Sequence, residues 1–156
     1  MSMVKTLTKM FEHSFEKEWY ETYWAIDLHG TIIKPNYKDV TYPAEYYPFA
    51  KKVLQLLTKR PDIKLILWTS SFPHEIEEYL KKFEIDEIHF DAVNENPGIS
   101  SKNGNFGFYE QKFYFNVLFE DKAGFDPEKE WELIYEFLID CENAGWLPNP
   151  KWTTKY

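Results

Sequence analysis

Apolar runs with strand character alternate along this chain with apolar stripes at helical spacing. Leu7, Met10, Phe11, Phe15 and Trp19, set among charges, predict a helix over residues 3–18 that covers a sheet. Residues 22–26 (Thr22, Tyr23, Trp24, Ala25, Ile26) are aromatic and β-branched, which suits a strand buried on both faces. Residues 32–48 are rich in Tyr and Pro, with a turn at Pro35 and Asn36, and read as a loop or short hairpin because Pro43 and Pro48 restrict any regular element. Phe49, Val53, Leu56 and Leu57 mark one face of a helix over residues 49–59, stopped by Pro61. A strand over residues 63–68 then runs into Thr69, Ser70 and Ser71, and Pro73 opens a helix striped by Ile76, Tyr79, Leu80 and Phe83.

A third strand is expected over residues 88–93, ending in the turn residues 94–98. Residues 100–107, rich in Ser, Asn and Gly, read as a loop bordering the strand ends. A fourth strand over residues 113–119 is preceded by Lys112 and ends in Glu120 and Asp121. Asp126 and Pro127 have the form of a cap and first-turn proline for a helix with Ile134, Phe137, Leu138 and Cys141 on one face, closed by Gly145. Residues 146–156 show no periodicity. No repeat or linker divides the chain, so a single domain over residues 1–156 is expected, with residues 1–20 as an N-terminal helical segment. The alternation implies an α/β fold: a doubly wound, mostly parallel Rossmann-like sheet with helices on both faces.

Composition narrows the function classes. At 156 residues and 44% hydrophobic, the chain suits one soluble globular domain. A formal charge of −8 argues against general nucleic-acid binding, which needs clustered Lys and Arg. No apolar run approaches membrane-spanning length, and a cytoplasmic protein is expected. The lone Cys141 reads as a packing residue, so neither a zinc site nor a cysteine enzyme is suggested. The high aromatic content, 19%, points to rings lining a site or an oligomer contact.

The chemistry concentrates at strand ends. Asp27-Leu28-His29-Gly30-Thr31 turns an apolar strand into an acidic turn, in which Gly30 permits a tight turn or a close backbone approach. Taken alone, it also reads as a polar strand end followed by a turn. Thr69 and Ser70 close the second strand, where they either face a ligand or cap the next helix. Open α/β sheets bind ligands at the carboxyl ends of their strands. Carboxylates from two such ends are hard oxygen ligands suited to magnesium, while a lysine and hydroxyls suit a phosphate. His13, His74 and His89 lack ligand spacing, and Arg60 reads as structural.

In order and spacing, Asp27, Thr69, Lys112 and Glu120-Asp121 resemble the four motifs of the haloacid dehalogenase-like (HAD) hydrolase superfamily, over nearly the whole chain. The resemblance implies a magnesium-dependent phosphatase acting on phosphate monoesters. Asp27 would be the nucleophile that forms an aspartyl-phosphate, with Thr69, Ser70 and Lys112 as phosphate-binding groups. Glu120, Asp121, Asp27 and the backbone carbonyl of His29 would serve the metal. Lys102 is a rival for the role of Lys112. The spacing resembles that of capless members, which implies no large cap domain and an open site that takes large substrates or uses homo-oligomer neighbours as a partial lid, while the acidic net charge tilts the expectation towards small phosphate monoesters over nucleic-acid ends. His29 departs from the pattern, standing where most phosphatases of the superfamily have a second aspartate as acid and base. Retained as an acid or base it leaves an enzyme; otherwise the chain is a binding or interaction module that keeps the metal and phosphate pocket.

Overall fold

A computed structural model describes residues 3–19, 21–35, 45–97 and 113–143. The helices are α1 (Met3–Glu16), α2 (Ala50–Thr58), α3 (Pro73–Ile85) and α4 (Glu130–Asn143), and the strands are β1 (Thr22–Asp27), β2 (Ile63–Trp68), β3 (Ala92–Val93) and β4 (Val117–Phe119). The four strands form one sheet in the order β3-β2-β1-β4, every pair parallel. No large cap domain is inserted among the described residues.

Alternation along β1 sends Trp24 and Ile26 to one side of the sheet and Tyr23 and Ala25 to the other. Trp24 and Ile26 join Leu65, Leu67, Val117 and Phe119 in the main core, which also takes Phe11 from α1, Leu57 from α2, Phe83 from α3 and Trp131 from α4. Tyr23, Ala25 and Ile66 on the opposite side are buried as well, so both faces of the sheet are covered. That double burial is why β1 and β2 are nearly continuously apolar rather than alternating.

Local chemistry sets several boundaries more narrowly than apolar character predicts. Only Ala92–Val93 of the expected third strand pairs, because the Asp91 carboxylate takes the Leu65 N–H at 2.8 Å. Likewise Val117–Phe119 is all that pairs of residues 113–119. Asn116 meets Tyr23 through its side-chain oxygen at 2.6 Å and its own N–H at 2.7 Å, closing the ladder. Phe15, placed on the buried face of α1 by the sequence pattern, is exposed, and Ser14 is buried instead. The ends of the tyrosine-rich connection do pair as a narrow hairpin, with Ile33 bridged to Tyr46 and the Lys34 N–H bonded to Glu45.

Two polar groups hold the elements together. Asp126 accepts from the Glu128 N–H at 3.1 Å while Glu130 accepts from the Asp126 N–H at 2.8 Å, a reciprocal cap that confirms the helix-opening role of Asp126. The other Glu130 oxygen accepts from the Met3 N–H at 2.7 Å, tying α1 to α4. Arg60 forms a two-bond fork with Asp62, 3.2 Å each and buried, which is the structural duty expected of it. Residues 100–107 with Lys102, together with Lys112, Gly145 and residues 146–156, lie outside the described residues.

Candidate functional site

The sheet order places β2 on one side of β1 and β4 on the other, so the chain leaves the centre of the sheet in opposite directions around β1. Such a switch point opens a crevice beyond the carboxyl ends of the strands. Asp27 ends β1, and Glu120 and Asp121 follow β4. Carboxylate oxygens of these three residues lie within 4.8 Å of one another, and among the described residues they form the acidic group able to hold a metal ion.

The turn after β1 is built to make this meeting possible. Leu28, Ile32 and Ile33 anchor it in the core, and the Ile32 and Ile33 N–H groups donate to the Leu28 carbonyl at 3.0 and 3.1 Å. Gly30 has a φ of +84°, in the left-handed region, and a Cβ there would lie 2.7 Å from Asp121 Oδ2. Thr31 is fully buried, so its hydroxyl serves the protein: it donates to Asp27 Oδ2 at 3.2 Å and accepts from the Asp121 N–H at 3.2 Å. One side chain thereby fixes both acidic motifs. The Trp131 indole N–H donates to the Thr31 carbonyl at 2.7 Å from behind, a buried support that sequence spacing did not reveal.

Crowding of like charge leaves its mark on acidity. Burial, reinforced by the Asp121 charge, raises the Asp27 carboxyl above its ordinary range. Glu120 is pushed up to about 7 by burial, by its side-chain bond with Asp121 and by the Asp27 charge. Both shifts oppose full ionisation of the cluster, and a divalent cation would reverse that balance.

The hydroxyl loop after β2 flanks the acidic turn. Asp27 and Trp68 are Cα partners across β1 and β2, so Thr69 begins one residue beyond the level of Asp27. Asn94 clamps Thr69 with two backbone bonds, its Oδ1 accepting from the Thr69 N–H at 2.8 Å and its Nδ2 donating to the Thr69 carbonyl at 2.7 Å. Asn94 has a φ of 55°, a conformation asparagine tolerates better than most residues, and its place in a turn-rich stretch was the one available signal. The Thr69 hydroxyl lies 2.8 Å from that of Ser71 and accepts the Ser71 N–H at 3.1 Å. Ser70 is exposed, and α3 has no side-chain cap, so the capping role open to Thr69 and Ser70 is not the one they take.

His29 is oriented toward this loop. Its Nδ1 lies 3.2 Å from the Ser71 hydroxyl, and its ring meets the buried Tyr79 edge-on at 5.5 Å. The imidazole is not part of the carboxylate group. Ser71, which the sequence pattern passed over in favour of Thr69 and Ser70, is thus the residue that joins the acidic turn to the hydroxyl loop.

No family model matches the chain, and no curated protein matches it either. A solved structure of a conserved protein coded by a locus of Bacteroides thetaiotaomicron resembles it with a TM-score of 0.58 and 24% identity, covering 77% of this chain and 91% of that one. The likeness shows the α/β fold. No helix among the described residues is long and apolar enough to cross a membrane.

Proposed function

We propose that this chain is a magnesium-dependent phosphatase of the HAD type, acting in the cytoplasm on small phosphate monoesters through an aspartyl-phosphate on Asp27. The observation that carries this reading is the convergence of three carboxylates from two strand ends within 4.8 Å, at the switch point of a parallel sheet whose neighbouring strand reaches Thr69 one residue beyond the level of Asp27. All the donors are hard oxygens, which fits magnesium, and Gly30 leaves the space that Asp121 needs. Asp27, Glu120, Asp121 and the His29 carbonyl would hold the ion. Once bound, magnesium would supply charge neutralisation at the phosphoryl oxygens.

The protein's own groups divide the remaining work. Thr31 holds the Asp27 carboxylate in one rotation, so that an Asp27 oxygen is aimed at phosphorus. That oxygen forms a bond to phosphorus as the ester P–O bond breaks, and the leaving oxygen takes up a proton. Water then cleaves the acyl-phosphate, releasing inorganic phosphate and restoring Asp27. Thr69 and Ser70 bind phosphoryl oxygens, and Lys112 supplies the cation expected there. With Nδ1 of His29 directed to Ser71, Nε2 is the ring atom left for proton exchange with the leaving group.

One observation favours a second reading. The His29 ring is engaged by Ser71 and Tyr79, which suits a binding module that keeps the metal and phosphate pocket without rapid turnover. Purified protein assayed on a panel of phosphate monoesters, with and without magnesium, separates the two. Magnesium-dependent phosphate release that disappears in Asp27→Asn supports the enzyme, and no release from any ester leaves the binding module.

A further inference from the structure

Phe72 breaks two local rules at once. It occupies the N-cap position of α3 without a side-chain capping bond, where Ser, Thr, Asp or Asn is preferred, and its ring is 67% exposed. Serines stand at the two preceding positions, so a hydroxyl at the cap would have needed only a one-residue displacement. Rule-breaking of this kind concentrates at functional sites.

The location of Phe72 gives the exposed ring a use. It directly follows Ser71, whose hydroxyl lies 3.2 Å from His29, and its loop leaves the same end of the sheet as Asp27. The ring is not isolated: His74 stacks on it with centroids 5.9 Å apart and planes 11° from parallel. Trp68, level with Asp27 on the neighbouring strand, is already covered by Phe113 at 4.5 Å, whereas Phe72 keeps an open aromatic face among the described residues. We propose that Phe72, backed by His74, is a specificity-determining platform that stacks against a planar aromatic leaving group. The preferred substrates are therefore aromatic rather than alkyl phosphate monoesters. The inference rests on the phosphate-monoester reading of the site.

Non-reacting probes separate stacking from chemistry. Phenylphosphonate and methylphosphonate carry the same anionic group and differ in the ring alone. Calorimetric titration in magnesium should find the phenyl compound about tenfold tighter in the intact protein, the scale of one aromatic stacking contact. Phe72→Ala should remove the difference, and Phe72→Trp should keep it. Equal affinities, or a preference that survives Phe72→Ala, would overturn the platform and leave the phosphatase reading standing. Failure of both phosphonates to bind would overturn the platform along with the phosphate pocket beneath it. A phenyl preference that depends on Phe72 in a protein without turnover would support the platform and remove the phosphatase.

Discussion

A Cβ on Gly30 would lie 2.7 Å from Oδ2 of Asp121, so the two acidic motifs meet where position 30 has no side chain. Asp121 is exposed and can swing away, whereas Gly30 is buried in the turn. Gly30→Ala should therefore leave the protein folded but displace Asp121 from the cluster. The left-handed backbone adds a cost of about 1–2 kcal/mol for a residue with Cβ. The expected outcome is a lower melting temperature with a disproportionate loss of magnesium affinity, measured by calorimetry. Unchanged magnesium affinity would count against Asp121 as a ligand.

Acidity gives a second prediction. Glu120 is raised from 4.5 to about 7, chiefly by burial, and Asp27 is raised as well. A carboxyl with a raised folded-state value binds more protons folded than unfolded, so its stabilising contribution is complete below about pH 4.5 and is lost as pH rises through about 7. Metal-free protein should lose thermal stability between pH 5 and pH 8 on this account. Magnesium competes with those protons, so it should raise the melting temperature more at pH 8 than at pH 5. An equal magnesium effect at both values would exclude these carboxyls as the binding groups.

The alternation of apolar runs and stripes gave away the sheet and its helices because burial on both faces demands nearly continuous apolar strands, as in Ile63–Trp68. The two shortened strands were less legible. Phe113, Tyr114 and Phe115 have strand composition, yet pairing begins only after the Asn116 side chain has substituted for a ladder bond, a competition that apolar pattern does not encode. Asp27, Glu120 and Asp121 were legible as acids at strand ends because topology alone brings those ends together. Ser71 and Trp131 were not, since their importance lies in single hydrogen bonds to residues 42 and 100 positions away.

The Trp131 bond can be tested without touching the cluster. Trp131→Phe preserves a ring against Phe119, now stacked at 5.3 Å, but removes the donor to the buried Thr31 carbonyl. An unsatisfied buried acceptor costs about 1–3 kcal/mol, equivalent to a melting-temperature fall of about 2–12 °C for a chain of this size. Because Thr31 holds both Asp27 and Asp121, magnesium affinity should fall too. Lost stability with unchanged affinity would show that the indole supports the core and not the site.

The contact between His29 and Ser71 decides how the proposed enzyme treats its leaving group. Aryl leaving groups need little protonation and alkyl ones need a great deal, and a well-placed acid is worth about 10²–10⁴-fold in rate. With a histidine where the resemblance calls for an aspartate as acid, the intact protein should turn over aryl phosphates with a higher kcat than alkyl phosphates. His29→Asp should raise kcat on alkyl phosphates by about 10²-fold and change kcat on aryl phosphates far less. Stacking on Phe72 acts on KM, so the two sources of aryl preference are separable in the same assay. Equal kcat on both ester classes in the intact protein, with no gain in His29→Asp, would mean that proton delivery to the leaving group does not limit the reaction and would count against an impaired acid at position 29.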